Sequence, residues 1–452
     1  MIFRHVKMDL QDILKGINGK IAERKADIPE AYHSLSHQER KTLLDRLDKK
    51  SLRFLTRIIK LNKKKRFRES HRGFLEISQK NIKTPVYLID ENLIEENMRV
   101  LRYVKDRTGC KILHALKAYA TYATFPVMSL YLDGTCASGL NEARLGRERF
   151  GKEVHTFAAA YREDEFVKIL RYSDVIIFNS FSQLEKYYPM TKKKGREIGI
   201  RVNPGYGAAD TQMYNPCAPC SRLGVIHEIF QEGFQSYMGK IDGLHFHALC
   251  QQNAHALERV LRSFEKLYGR YIKGLKWVNF GGGHHITRDG YDIELLIRLI
   301  NEFKDRYNVQ VYLEPGEASV LNAGVLIASV LDIVRNVMDI AIIDASAETH
   351  MPDVLLMPYR PYILSSAGSE EKRYTYRVAG PSCLAGDVIG DYSFDRPLKP
   401  GDRVVFTDMA LYSIVKNTTF NGINLPDIAV IRKTGELEVV KSFGYRDYVS
   451  RQ

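Results

Sequence analysis

No uncharged apolar run of about 18 residues occurs in the 452-residue sequence, so a membrane-spanning helix is not expected. The first stretch, MIFRHVKMDLQDILKGINGK, lacks the continuous apolar core of a secretory signal, so secretion is not expected either. Cysteine is scarce: six residues in so long a chain are too few for a disulfide framework, which predicts a reducing, cytoplasmic setting. No internal repeat is evident. A general excess of one charge is also missing, although the net charge is +13. Residues 1–82 carry 21 Lys and Arg against 10 Asp and Glu, and the remaining residues carry 46 against 44. The body of the chain is nearly neutral, so charge says little about its main function. With 44% hydrophobic and 27% charged residues, the sequence describes a globular protein rather than a disordered tail or a fibre.

Residues 1–82 read as a basic helical extension. Leu10, Ile13, Leu14, Ile17 and Ile21 fall at helical spacing. After Pro29, a capping box at Ser36 and Glu39 opens a second helical run through Leu43, Leu44, Leu47, Leu52, Leu55, Ile58 and Ile59. That run ends in the tail Lys63-Lys64-Lys65-Arg66-Phe67-Arg68. A helical hairpin with a solvated end accounts for this pattern; an anionic partner (RNA, a membrane surface or an acidic protein) is the alternative.

From Lys83 the pattern changes. Residues 83–90 form a short strand, assigned with residue 91 to the C-terminal β domain, and a helix follows to about residue 107. Strand-like runs then alternate with helical ones at 110–116, 134–138, 154–159, 174–178, 197–202, 241–247, 275–280 and 309–313. Eight such units close a parallel (β/α)8 barrel, placed at residues 92–317; an open doubly wound sheet is the alternative. Residues 318–452 are strand-like, with a turn at 396–402, and predict a mostly β domain. The fold class is therefore α/β, a TIM barrel with a C-terminal β domain and an N-terminal helical extension.

In such a barrel the chemistry lies at the carboxyl ends of the strands. Lys117 follows the apolar run Ile112–Leu116, where burial would favour a neutral, nucleophilic amine; a surface lysine is the plainer reading. Gly281, Gly282 and Gly283 follow the seventh strand and can bring backbone N–H groups to an anion, or simply make a tight turn. Glu314 lies before a Pro-Gly turn, as a cap or as a carboxylate for a ring nitrogen. His245 and His247 raise a rival, the His-x-His of metal-dependent hydrolases, but that pair normally sits on the first strand and here lies on the sixth. No metal is expected. Cys217 and Cys220 form a CxxC without a second ligand pair and read as two free thiols. A Schiff-base lysine, a phosphate loop, a carboxylate for a ring nitrogen and a histidine able to cover a ring face are together what pyridoxal 5'-phosphate requires.

The motifs LeuHisAlaLeuLysAla (113–118), CysAlaSerGlyLeuAsnGluAla (136–143), AsnProCysAlaProCysSerArgLeuGly (215–224), LeuHisPheHisAlaLeuCys (244–250), GluProGlyGlu (314–317), HisMetProAspValLeu (350–355), GlyProSerCysLeuAlaGlyAsp (380–387) and ThrPheAsnGly (419–422) span the chain after residue 82. With them, residues 83–452 resemble the fold-type III pyridoxal-phosphate decarboxylases, relatives of alanine racemase. The resemblance implies a homodimer with shared active sites. It implies Lys117 as the lysine that binds the cofactor, His247 on the ring face, Glu314 at the ring nitrogen, and Gly281 to Gly283 with Tyr412 at the phosphate. Cys383, from the partner subunit, would be the proton donor.

Two departures from the ornithine-type members matter. Leu249-Cys250 replaces their Gly-Ser, and Glu317 replaces the arginine that follows their Glu-Pro-Gly. An acid in place of a base suits the branch acting on carboxylated polyamines (carboxynorspermidine and carboxyspermidine), with Glu317, Asp353, Asp387 and His350 as candidate readers of the amines. Diaminopimelate or ornithine decarboxylation is the alternative activity. A non-catalytic regulatory homologue is the alternative of another class.

Overall fold

A computed structural model describes residues 10–17, 27–209 and 212–452. The described residues divide into two compact units: those within 10–65, 96–116 and 128–319 form a barrel unit, and those within 66–95, 117–127 and 320–452 form a sheet unit.

The N-terminal segment holds helices α1 (Leu10–Ile17), α2 (Ile28–Ser34), α3 (His37–Asp45) and α4 (Lys49–Ser78). Ile21 lies outside the described residues. Pro29 does not break the chain but sits in the first turn of α2, where its missing N–H costs nothing. The capping box is present: the Glu39 amide donates to Ser36 Oγ at 3.3 Å, and the Ser36 amide donates to Glu39 Oε2 at 2.8 Å. The second helical run, however, is two helices. Asp48 Oδ1 accepts the Ser51 amide at 2.7 Å, an N-cap that ends one helix and starts the next. Positions 63–68 are consequently the interior of a 30-residue helix, not a tail. Burial ties the extension to the barrel unit. The Arg40 guanidinium meets Asp106 at 2.7 Å with both side chains under a tenth exposed, and Tyr32 Oη donates to the same carboxylate at 3.0 Å. The next elements are β1 (Val86–Asp90) and α5 (Glu91–Thr108).

Eight parallel strands close the barrel: β2 (Lys111–Ala115), β3 (Gly134–Ala137), β4 (Glu153–Phe157), β5 (Val175–Phe178), β6 (Glu197–Arg201), β7 (Gly243–His245), β8 (Trp277–Asn279) and β9 (Gln310–Leu313), with β9 returning to β2. Its interior is layered. Trp277, the only tryptophan, packs with Leu113, Val175, Ile177 and Tyr312 near the strand starts. Glycines make room for it: a Cβ on Gly199 would lie 2.4 Å from the indole, and one on Gly243 2.1 Å. Two residues further along, on the same face of each strand, come Arg201, His245 and Asn279, paired in register across β6, β7 and β8. An apolar floor thus supports a polar row at the strand ends. Gly243→Ala is expected to overpack that floor and to cost about 1–3 kcal/mol, read as a lower denaturation midpoint.

The sheet unit contains β1 with β10 (Gly324–Asn336), β11 (Met338–Ile343), β12 (Tyr374–Ala379), β13 (Val388–Phe394), β14 (Arg403–Thr407), β15 (Asp427–Ile431) and β16 (Leu437–Lys441). Their order is β13-β12-β11-β10-β1-β15-β16, with β14 on β10. A register shift between Val330 and Asp332 lets the long β10 pair with β1 and β14 first and with β11 afterwards. Among the described residues no helix is long and apolar enough to cross a membrane.

Candidate active site

At the end of the barrel, Glu314 is almost wholly buried, one residue past β9. Asn279 Nδ2 donates to its Oε1 at 2.7 Å, and His245 Nε2 lies 3.2 Å from its Oε2. Burial works to raise the Glu314 pKa, but the charge and hydrogen bond of His245, the nearby His155 and the Asn279 amide outweigh it and hold it at about 2. Burial also lowers the His155 pKa to about 4, so that ring is neutral near pH 7 and the carboxylate depends on His245 and Asn279. In the same row, the Arg201 guanidinium lies 4.6 Å from the centre of the Phe157 ring and donates to the His247 carbonyl at 3.2 Å.

The glycine loop closes over the same end. A Cβ at Gly281 (φ +69°) would come within 2.3 Å of the Phe246 carbonyl oxygen, and one at Gly283 (φ +79°) within 2.0 Å of the Leu249 carbonyl oxygen. Only glycine permits that approach. The Gly281 amide donates to Asn279 Oδ1 at 2.8 Å, and the Gly282 amide to His247 Nδ1 at 2.9 Å. The second bond orients the half-buried His247 ring and puts the proton of its neutral form on Nε2. Two of the three amides of the expected phosphate loop thus hold side chains.

Glu317 is buried nearby in the sequence, at the start of the helix Glu317–Val320. Gln251 Nε2 donates to its Oε1 at 2.8 Å, and His285 Nε2 lies 2.6 Å from its Oε2.

The remaining expected residues belong to the sheet unit. Lys117 is exposed in the single chain, in a turn two residues past the end of β2, as the surface-lysine reading has it: the apolar run ends before it. Tyr412 adopts φ +54°, a conformation that costs a non-glycine residue about 1–3 kcal/mol, and its amide donates to the Ala118 carbonyl at 2.8 Å. Cys383 is exposed, and its amide donates to Asn421 Oδ1 at 2.8 Å. Asp387 is buried; its Oδ1 accepts the Ala347 amide at 2.7 Å and its Oδ2 accepts Ser382 Oγ at 2.6 Å. It thus clamps the Cys383 loop rather than facing outward. His350 is fully buried, with Nδ1 accepting the Ser346 amide at 3.2 Å and Nε2 donating to the Asn424 carbonyl at 3.1 Å, which leaves no ring nitrogen for an amine. Asp353 pairs with the Lys416 ammonium.

The sequence reading assigned no role to Asn279, Gln251 or His285, and considered His245 only as a metal ligand. For Asn279 a signal existed: it lies two residues from Trp277 and so shares its inward face. His285 and Gln251 carried none, because their partner is distant in sequence. Among the described residues, no group of three or more His, Cys, Asp or Glu side chains could hold a metal ion. Neither Cys217 nor Cys220 is in a disulfide, and the same holds for the other four cysteines.

These residues fit pyridoxal phosphate. A buried carboxylate kept ionised by an amide and an imidazole is suited to a protonated ring nitrogen, and the orientation of the His247 ring is set by the glycine loop itself.

The family model of the pyridoxal-dependent decarboxylases, C-terminal sheet domain, matches residues 43–410, and the chain belongs to this family of decarboxylases, whose cofactor is pyridoxal phosphate. Within it, the chain is 44% identical over 381 residues to the carboxynorspermidine/carboxyspermidine decarboxylase of Campylobacter jejuni, covering 82% of this chain and 98% of that protein. It is 39% identical over 373 residues to the carboxyaminopropylagmatine decarboxylase of Synechocystis, covering 82% and 96%. The crystal structure of carboxynorspermidine decarboxylase from Campylobacter jejuni, complexed with norspermidine, superposes with a TM-score of 0.77 at 43% identity, covering 82% of this chain and all of that one. Diaminopimelate decarboxylase from Helicobacter pylori superposes at 0.72 with 20% identity and shares the fold.

Proposed function

We propose that this protein decarboxylates carboxynorspermidine and carboxyspermidine, giving norspermidine and spermidine in polyamine biosynthesis. The observation that carries this reading is Glu317, a buried acid where ornithine-type relatives have a base, together with 44% identity to a decarboxylase of that name. Bound pyridoxal phosphate supplies the electron sink that accepts the bonding pair as carbon dioxide leaves.

The chain supplies the rest. Lys117 offers the amine that anchors the cofactor and yields to the substrate amine. Glu314 stays ionised and keeps the ring nitrogen protonated, and His247 covers the ring face. The glycine loop, whose Gly281 and Gly282 amides hold Asn279 and His247, receives the phosphate with Gly283 and Tyr412. Cys383, contributed by the partner subunit, delivers the proton to Cα. Glu317 pairs with a substrate ammonium. A shorter substrate lacking that ammonium leaves the buried acid unpaired and is rejected. Asp353, Asp387 and His350, bonded within the sheet unit, act as scaffold.

A homodimer with shared active sites belongs to the same proposal. Its support is the exposure in the single chain of Cys383 and of the apolar residues Leu356, Tyr362, Leu384 and Phe420. A cytoplasmic location is proposed from six cysteines of which none is in a disulfide. An anionic partner is proposed for the exposed cations Lys50, Arg53 and Arg57 of α4.

The test is carbon dioxide release from carboxynorspermidine, carboxyspermidine, carboxyaminopropylagmatine, ornithine and diaminopimelate. The two carboxylated polyamines should exceed ornithine and diaminopimelate in kcat/KM by about two orders of magnitude or more. Preference for diaminopimelate or ornithine overturns the reading, and lack of cofactor absorbance would favour a non-catalytic homologue.

A further inference from the structure

Two lysines of α4 turn inward. Lys60 Nζ donates to the Tyr291 carbonyl at 2.9 Å, and Lys63 Nζ donates to the Thr287 carbonyl. One turn earlier, Thr56 Oγ1 bonds Tyr103 Oη at 2.8 Å and also the Glu294 carboxylate, which the Arg107 guanidinium holds at 3.1 Å. The two lysine contacts fall on Thr287 and Tyr291, in the segment between the glycine loop and the helix Ile293–Tyr307, and the Thr56 and Arg107 contacts fall on Glu294 in the first turn of that helix. Long lysines normally keep their ammoniums in water. Here both are partly buried and bound to loop carbonyls that belong to no helix or strand.

The inner side of the same segment faces the candidate site. His285 Nε2 lies 2.6 Å from Glu317 Oε2, and Thr287 Oγ1 donates at 2.7 Å to the Ala318 carbonyl, the residue after Glu317. The His285 amide also donates to the Gln252 carbonyl at 3.2 Å, next to Gln251, the other side chain on Glu317. A short stretch of chain is therefore held from outside by α4 and holds Glu317 from within. The named relatives are matched over 96–98% of their own lengths and over 82% of this chain.

We propose that α4 is a built-in strut for substrate recognition: Lys60 and Lys63 are positioning residues that fix residues 284–292, so that His285 and Gln251 hold Glu317 in place for a substrate ammonium. This rests on the reading of Glu317 given above.

The full-length holoenzyme tests it. In Lys60→Met/Lys63→Met, the KM for carboxynorspermidine should rise about three- to tenfold with kcat within about twofold and cofactor absorbance unchanged, because only ammonium positioning is lost. Lys60→Arg/Lys63→Arg should restore the KM. In a Glu317→Gln background the methionine pair should add little, since both changes act on one contact. Norspermidine affinity measured by calorimetry gives the same comparison without turnover, so a failure of the decarboxylation reading is seen separately, in the wild-type rate. An unchanged KM and norspermidine affinity overturns the strut. So does an equally large rise in the Glu317→Gln background, or a KM rise accompanied by loss of cofactor and of thermal stability.

Discussion

Lys117→Ala is expected to remove the borohydride-reducible visible chromophore of the purified protein and to lower kcat/KM by about three orders of magnitude or more. The backbone leading to this residue is tied down: in the barrel unit the Leu116 amide donates to the Cys136 carbonyl at 3.1 Å and the Ala115 amide to the Pro315 carbonyl at 3.2 Å. In the sheet unit the Ala118 carbonyl accepts the Tyr412 amide at 2.8 Å. A lysine at that point has a fixed root and a free, exposed amine, which suits a covalent anchor that must also be displaced. Because the side chain is exposed, alanine should leave the folding midpoint almost unchanged. Absorption spectra before and after borohydride reduction decide the matter. A surviving chromophore would move the anchor to another lysine.

Cys383→Ala is expected to lower kcat by about 10²- to 10⁴-fold, the usual range for a general acid, while leaving the chromophore intact. Without its proton donor, the proton would in some turnovers go to the cofactor's aldehyde carbon instead of to Cα, and hydrolysis would then release an aldehyde and leave the cofactor as its amine. Wild-type product partitioning would remove Cys383 from that role. The loop that carries it is prepared for the task by Asp387, which receives both the Ser382 hydroxyl and the Ala347 amide, while Asn421 Oδ1 accepts the Cys383 amide. Mixing the inactive Lys117→Ala and Cys383→Ala proteins tests the shared site directly. If Cys383 serves the partner subunit, hybrid dimers carry one intact site and activity returns to about a quarter of wild type at equal mixing. No recovery from subunits shown to exchange would place the cysteine in the site of its own chain.

Glu314 should leave no step in the pH–rate profile between about pH 4 and pH 8. Its pKa is held at about 2, below the ordinary carboxylate value, so the group stays ionised throughout that interval. The corresponding stability contribution is present above the unfolded carboxylate pKa and is lost only as pH falls through the folded value.

Much of the fold was legible in the residues. The eight strand-like runs correspond to β2 through β9, and the apolar stretch at 86–90 is a strand buried at every position. Hydrophobic periodicity is a local property, and the barrel strands are legible because most of their residues are buried, both faces being covered. The break between α3 and α4 was also written locally, in Asp48 and Ser51, but a pattern of leucines and isoleucines continues across it and hides it.

The sequence by itself determined the strand and helix order, the barrel, the family and the residues at the strand ends, because period-two and period-3.6 patterns and short motifs are set by neighbours in the chain. Only the tertiary structure decided which polar groups are spent on one another. It committed His350 to Ser346 and Asn424, Asp387 to Ser382 and Ala347, Asn279 to Glu314 and Gly281, and His285 with Gln251 to Glu317. A buried polar atom must find a partner, and folding can supply that partner from any distance along the chain.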